Sequence, residues 1–599
     1  MRHSIVVPVY NEEKNISKCL DSIIAQTDKD WECLVIDDGS TDGSGKICDA
    51  YAKKDKRFHV EHTKNHGLGA ARNLGIEKSS GEWISFLDSD DWIEKNKLQR
   101  CYEAAQKSGS SIIWHSMNII EGSKKKMWYA DIEGTFQWDD KRLFEDSRYD
   151  SGHSTDKLYE RKLLIEHNLR FPTSKRFEDA PFSFKALFYA GSMYKIKDGL
   201  YNYKRESGRL STAPLTPEQK IEIIHSFEDV INEFKNTDKH DSVRSNIDSF
   251  LSLLFSRKGR ETIDYVFPYV NGSDGEWIEL YNKFVTKDKR KDVNSVERYR
   301  GDEDMLRYKF RAISENIPWI GVIHLIVSSK SQVPKWIDQS KVHIVLHDDI
   351  IPKQFLPTFN SSTIMLFTQN ILGLSEKYLV SNDDMFPNDK LQAKHFFNGD
   401  KLVFKTFTTK GSRIGPNEEM YKFAFYNAYK LALEKYAKKT LNTNTFYRIQ
   451  HFDCPLSRSL SKKVYEENKK DLEASITKFR DRKNINEYFF HWAAKYKNMA
   501  LEGKLSGYVN NIKEKRIEMY RNIINNRKYQ YICMNDAEST SDGTYSKLVA
   551  ILRRRYPRRS KYETVAADRK VTVKKRKRVS PDVKKKLHMP KEVRHFYEL

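Results

Sequence analysis

The chain has 599 residues, with 105 Lys and Arg against 83 Asp and Glu, and carries a formal charge of +22 at pH 7. Its 32 Tyr, 32 Phe and 10 Trp exclude a wholly disordered chain, and the length leaves room for two to four domains. Six scattered cysteines without a C-x-x-C pair argue against a disulfide framework or structural zinc, and fit a reducing cytoplasm. No apolar run reaches the ~20 residues that span a bilayer, and no signal-peptide core precedes the first strand pattern.

In chain order, residues 4–10, 32–36 and 83–87 read as short buried strands. Helical spacing over Asn15–Ile24, around Gly43–Lys53 and over Ala70–Lys78 separates them. This alternation predicts a parallel sheet covered by helices, with ligands at the carboxyl ends of its strands. Asp37-Asp-Gly-Ser40 and Asp88-Ser-Asp-Asp91 fall at those ends. Residues 216–257 show a helical stripe and read as a connecting segment. A second strand series follows at Ile263–Phe267, His324–Val327, His343–Leu346 and Tyr378–Ser381. Residues 417–436 and 508–527 read as helices. No solenoid repeat is visible, and the two halves share no residue-level similarity. The second series ends in Asn382-Asp-Asp384, an acidic turn like the one at Asp88. Clustered carboxylates at a strand end suit a divalent cation that holds a diphosphate.

The charge is concentrated at the end of the sequence. Residues 553–599 hold 18 Lys and Arg against 5 Asp and Glu, which is +13 of the total. Solvated chain is the bland reading. Peripheral contact with an anionic membrane, on the inner face of a bacterial cytoplasmic membrane, is the functional one. Nucleic-acid binding is not expected, because no recognition motif accompanies the charge.

Five ordered segments carry the first chemistry: Val7-Pro-Val-Tyr-Asn-Glu12, Val35–Asp42, Asn65–Asn73, Leu87–Asp91 and Arg176–Ala180. Together they resemble glycosyltransferase family 2, inverting enzymes of GT-A fold, over roughly residues 1–215. The resemblance implies that Pro8, Tyr10, Asp38 and Arg72 bind the nucleotide. It makes Asp88 and Asp90 the D-x-D pair, with Asp90 on Mg²⁺ or Mn²⁺ and Asp88 on the nucleotide or a metal-bound water. Asp179 matches the general base, which takes a proton from the acceptor hydroxyl. Singly these residues say little, since Asp and Asn commonly build turns at strand ends.

Residues 260–563 carry a different series. It runs through Ile263–Asp274, Arg298-Tyr-Arg300, Leu306-Arg-Tyr308, Pro334-Lys-Trp336, Leu356–Ser361, Asn382–Phe386, His451, Arg480 and Cys533-Met-Asn-Asp536. This succession resembles the Stealth family of sugar-1-phosphate transferases. The resemblance implies attack by an acceptor hydroxyl on the sugar-bearing phosphate, expelling a nucleoside monophosphate. Asp274, Asp383, Asp384 and Asp536 are then candidate cation ligands. Arg307, Arg480 and Arg482 are candidate phosphate clamps. His451 is the candidate general base, and Asn360 and Ser361 either contact substrate or shape a turn. Two departures stand out: Met305-Leu-Arg-Tyr-Lys309 where the pattern commonly reads Glu-Leu-Arg-Tyr-Ser, and Pro268-Tyr269 where Thr-Trp is frequent.

The expected architecture is therefore α/β with two catalytic domains. A GT-A (Rossmann-like) domain over 1–215 and a helical linker over 216–259 precede a Stealth domain over 260–563 and a basic tail over 564–599. The expected function is a bifunctional capsule polysaccharide polymerase that uses nucleotide-sugars, UDP-linked by family expectation, and an oligosaccharide or polysaccharide acceptor. The alternatives are addition of a single branch to another glycan, phosphorylation of a protein-linked glycan, and a basic polyanion-binding protein.

Overall fold

A computed structural model describes residues 2–128, 132–149, 152–173, 176–205, 214–257, 261–285, 303–415, 420–441, 443, 445–535 and 541–564. Asp536 and the basic tail beyond Thr564 lie outside the described residues. The chain divides into two compact units, Met1–Arg260 and Glu261–Leu599.

The first unit is built on strands β1 (His3–Val9), β2 (Trp31–Asp37), β3 (Phe58–His62), β4 (Trp83–Phe86), β5 (Trp92–Ile93), β6 (Ile112–Glu121), β7 (Lys124–Trp128), β8 (Gly134–Gln137), β9 (Lys157–Glu160) and β10 (Ser192–Lys204). They form one sheet in the order β3-β2-β1-β4-β9-β6-β10-β5, with β7 on β6 and β8 on β10. β1 pairs in parallel with both β2 and β4, whereas β9 runs antiparallel to β4. Every residue of β1 and β2 is buried, as expected of strands covered on both faces.

The covering helices include α1 (Ile16–Ile24), α2 (Ser44–Lys54), α3 (Leu68–Lys78), α4 (Lys97–Ser108), α5 (Asp179–Ala190), α6 (Pro217–Glu233) and α7 (His240–Phe255). α1 shows why the sequence folds locally as it does: Ile16, Cys19, Leu20 and Ile23 recur at helical spacing, and all four are buried. The segment expected to connect the halves instead joins the core of the first unit. Thr216 and Gln219 form a capping box at the start of α6. Phe184 of α5 then packs against Phe250 of α7 at 4.8 Å and Phe227 of α6 at 6.0 Å.

In the second unit, β11 (Ile263–Pro268), β12 (Ile323–Val327), β13 (Val342–Leu346), β14 (Lys377–Val380), β15 (Met385–Pro387), β16 (Cys454–Ser457), β17 (Gly507–Asn511) and β18 (Tyr531–Asn535) frame the candidate site. The main sheet has the order β13-β12-β11-β14-β16. Its first four strands are parallel and β16 is antiparallel. Both sheets therefore contain strands ordered third, second, first, fourth, followed by an antiparallel neighbour. In each, the acidic turn follows the fourth strand. The halves share topology without shared wording.

Helices α8 (Gly275–Phe284), α9 (Glu303–Asn316) and α10 (Tyr488–Tyr496) serve the second unit's site. The stretch expected to be helical at 508–527 begins as β17, passes through a 3-10 turn at Glu514–Arg516 and is α-helical over Ile517–Asn525. β17 pairs in parallel with β18, and that ladder, not the local periodicity, decides its conformation. A buried fork from Arg311 of α9 grips Glu563, with Nε to Oε1 at 2.8 Å and Nη2 to Oε2 at 2.9 Å.

Two glycines let α3 pack closely enough to deliver a buried arginine, Gly75 against the sheet and Gly69 against the Phe171–Pro172 segment. A Cβ at Gly75 would lie 2.2 Å from a Val6 methyl, and one at Gly69 would lie 2.5 Å from the Pro172 carbonyl oxygen. Gly75→Ala is expected to destabilise the first unit by about 1–3 kcal/mol through overpacking. Denaturant titration of the full chain, reading the first unit's transition, checks this.

Candidate active sites

In the first unit, α3 opens beside Gly67, whose φ of 93° suits glycine alone. The Asp38 carboxylate shapes this opening by accepting the amides of His66 at 2.9 Å and Gly67 at 2.8 Å. Asp38 thus acts as a brace for the 65–67 loop, whatever else it touches. Pro8 is buried in β1, and Tyr10 just beyond the strand is 48% exposed.

One turn into α3, the Arg72 side chain is almost wholly buried. Its Nη2 donates to Asp88 Oδ1 at 2.8 Å, and its Nη1 donates to Glu178 Oε1 at 2.8 Å and Asp179 Oδ1 at 2.5 Å. Burial opposes the guanidinium charge, but Asp179, Asp88 and Glu178 outweigh it and raise its pKa. Burial and the neighbouring Asp179 push Glu178 the other way for a carboxyl, up to about 7, against the pull of Arg72. Phe177, at φ 59°, makes the strained turn that places Glu178 and Asp179 at the start of α5. Ser154 completes the setting of Asp179, with its Oγ donating to Oδ1 at 3.0 Å.

The acidic turn itself divides by role. Asp91 faces inward, accepting from Tyr201 Oη at 2.7 Å and the Lys204 amide at 2.8 Å. Asp88 and Asp90 are only half-buried. Three carboxylates on one guanidinium, with Asp90 two residues from Asp88, leave surplus negative charge that fits a divalent cation. Sequence reasoning passed over Ser154 and Tyr201, whose roles arise only across the sheet.

At the second unit's acidic turn, Asp384 has a buried Oδ1 with no hydrogen-bond partner among the described residues. Asp383 stays open to solvent, yet burial of its surroundings and the charge of Asp384 push it up to about 7. Adjacent carboxylates that resist joint ionisation, one with an orphaned oxygen, fit a cation. His451 joins them: burial lowers its pKa, and the charges of Asp384, Arg448 and Arg480 reach it. Its Nδ1 lies 3.3 Å from Tyr488 Oη. Arg480 is oriented by Ser361, whose Oγ accepts from Nη2 at 3.1 Å.

Other expected residues go elsewhere. Asp274 caps α8 by accepting the Trp277 amide at 2.8 Å, and no hydrogen bond or ion pair among the described residues links it to the acid pair. Asn360 is fully buried; its amide nitrogen donates to Asn484 Oδ1 at 2.9 Å, and its oxygen caps the helix Ser361–Met365. That makes it a turn-former without a free face for substrate. Arg307 turns inward, 3.6 Å from Glu563, with its guanidinium over Trp336 at 4.8 Å. Arg482 is exposed over Phe423. Glu487 was missed by sequence reasoning. It lines a small recess with Ser381, Asn382 and Tyr488, and burial pushes it up to about 7.

Comparison with known proteins agrees with this division. The glycosyl transferase family 2 model matches residues 4–167, and the model of Stealth protein conserved region 2 matches residues 298–404. Glycosyltransferase GlyG of Streptococcus pneumoniae is 30% identical over 241 residues, which is 38% of this chain and 79% of that protein. Capsular polysaccharide phosphotransferase WcwK of Streptococcus pneumoniae is 29% identical over 340 residues, 51% of this chain and 99% of that protein. EpsH of Bacillus subtilis (strain 168) is 39% identical over 34% of this chain, and the chain spans 60% of its length.

Beside the first site, His62 bridges Asp37 at 2.7 Å and Asp49 at 3.1 Å, and these hydrogen bonds raise its pKa. A raised folded-state value stabilises fully below about 6.5 and is lost as pH rises through that higher value. Thermal melts should therefore show wild type ahead of His62→Gln at pH 6 by more than at pH 9. An NMR titration placing the His62 pKa at or below 6.5 would refute the pairing.

Proposed function

Because the chain belongs to glycosyl transferase family 2 through residues 4–167 and carries Stealth conserved region 2 at residues 298–404, we propose that it is a bifunctional transferase of capsule polysaccharide synthesis. One unit forms a glycosidic bond, and the other transfers a sugar-1-phosphate from a UDP-sugar, so that alternation builds a polymer with phosphodiester links. The observation that carries this reading is that equivalent acidic turns are paired with different proton acceptors: Asp179 in the first unit and His451 in the second. The similarity to WcwK over nearly all of that protein's length supports the second activity.

In the first unit, Asp179 takes the proton of an acceptor hydroxyl while that oxygen attacks the anomeric carbon. The anomeric carbon–oxygen bond breaks, and the nucleoside diphosphate leaves with the bonding pair. Direct displacement inverts the anomeric centre. Arg72 and Ser154 hold Asp179 in place for this step. Asp90, with Asp88, would hold Mg²⁺ or Mn²⁺, which supplies positive charge to the departing diphosphate.

In the second unit, an acceptor hydroxyl attacks the sugar-bearing phosphorus, the bond to the nucleoside monophosphate breaks, and His451 receives the proton. Its lowered pKa keeps the imidazole neutral near pH 7, as a base must be. Arg480 faces the transferring phosphate, and Asp383 and Asp384 would hold a divalent cation that offsets its charge. Asp274 serves as the cap of α8, and Asp536 lies outside the described residues.

The released nucleotide separates the two activities. With a panel of nucleotide-sugars and a glycan primer, the purified full chain should release both diphosphate and monophosphate, and ³¹P NMR should show a phosphodiester. Asp179→Asn should cut diphosphate release by about 10²–10⁴-fold and spare monophosphate release on a suitable acceptor. His451→Ala should do the reverse. Loss of both from either change would refute independent sites.

A further inference from the structure

Both ends of the turn that carries Asp383 and Asp384 are tied to one buried ammonium. Lys309 of α9 is fully buried, and its Nζ donates to Ser381 Oγ at 2.9 Å, the Met385 carbonyl at 2.6 Å and Tyr265 Oη at 3.1 Å. Those bonds use all three of its protons. Its counter-charge is Asp453, also fully buried. Asp453 accepts from Ser381 Oγ at 2.6 Å, Tyr265 Oη at 2.7 Å and Tyr531 Oη at 2.9 Å. Two hydroxyls thus bridge ammonium to carboxylate, and the knot joins β11, α9, the end of β14, the start of β15, residue 453 and β18.

We propose that Lys309, with Asp453 as its bridged counter-ion, is the positioning residue that sets the Asp383–Asp384 turn for cation binding and sugar-phosphate transfer. This rests on the sugar-phosphate reading of the second unit. Lys309 occupies the position where the Stealth pattern reads Ser, so the departure has a defined use. A buried ion pair is a poor source of net stability, because desolvation offsets the attraction. Its value lies in direction: Ser381 and Met385 flank the acid turn and cannot move apart without leaving the ammonium unsatisfied. The same positive charge lies within electrostatic reach of Asp383 and Asp384, easing their close approach. Lys309 touches no reacting atom in this scheme and acts through the turn.

The test uses the full chain carrying Asp90→Ala, so that metal binding reads the second unit alone. Mn²⁺ affinity is measured by electron paramagnetic resonance, and monophosphate release from UDP-sugars is measured separately. Lys309→Met with Asp453→Asn keeps the interior neutral and is expected to stay folded by circular dichroism. Mn²⁺ affinity and monophosphate release should each fall about 10–100-fold, as for lost partners of metal ligands. A folded double variant with wild-type Mn²⁺ affinity and release would overturn the proposal. Should that variant not fold, Ser381→Ala removes one tether while keeping both charges. A smaller loss in both readings is expected, and unchanged Mn²⁺ affinity would again overturn it. A reference chain that binds Mn²⁺ through Asp384 but releases no monophosphate defeats the sugar-phosphate reading, while the Mn²⁺ comparison still decides the role of Lys309.

Discussion

Everything chemical here depends on the place where strand order reverses. When a first strand pairs in parallel with both its second and its fourth neighbour, the crossovers leave in opposite directions and open a crevice at the carboxyl ends. β1 and β4 make that crevice in one unit, and β11 and β14 make it in the other. Each fourth strand is short, only four residues, so its acidic turn emerges beside the end of the first strand. An antiparallel strand lies on the far side of each fourth strand, at the sheet edge in the second unit and inside the sheet in the first. The same constraint, met by unrelated wording, explains why two chemistries share one layout.

What differs is how each unit restrains negative charge that the fold has concentrated. The first uses Arg72, delivered from α3, which Gly75 allows to lie close to the sheet and Gly69 close to the Phe171–Pro172 segment. Its planar fork takes three carboxylates at once and so links the D-x-D segment to the candidate base. The second uses Lys309, a point charge that grips neutral oxygens on the turn's two flanks. Arginine there organises the carboxylates directly; lysine organises the backbone that carries them. The proposed proton acceptors differ likewise, a carboxylate held by the guanidinium in one case and a histidine whose pKa is lowered by burial in the other.

Several residues were legible as candidate site members through their order along the chain, since singly their types have many uses. Asp88, Asp90, Arg72 and Asp179 occur in an order that few folds would reuse, and the structure gathers Arg72 with Asp88 and Asp179. Others were legible only as residue types. Asn360 and Asp274 look like ligands in a motif, yet both cap helices, because Asn and Asp bond to nearby backbone as readily as to a substrate. Arg307 reads as a phosphate clamp until Glu563, more than 250 residues later, is found beside it. Ser154, Asp453 and Lys309 carried no local signal of use beyond the departure at 309.

The sequence by itself determined the alternation of strands and helices, the two acidic strand ends and the distinct family resemblance of each half. Those properties are local: hydrophobic period, turn chemistry and the order of short motifs along one strand of text. Only the tertiary structure decided that residues 216–257 complete the first unit's core, that residues 508–511 form a strand, and which acids face inward. Those outcomes depend on partners far away in the chain, as Tyr201 is for Asp91 and Tyr531 for Asp453. A carboxylate's role is set by whether its oxygens are already satisfied, and satisfaction is a property of packed neighbours that no single segment contains.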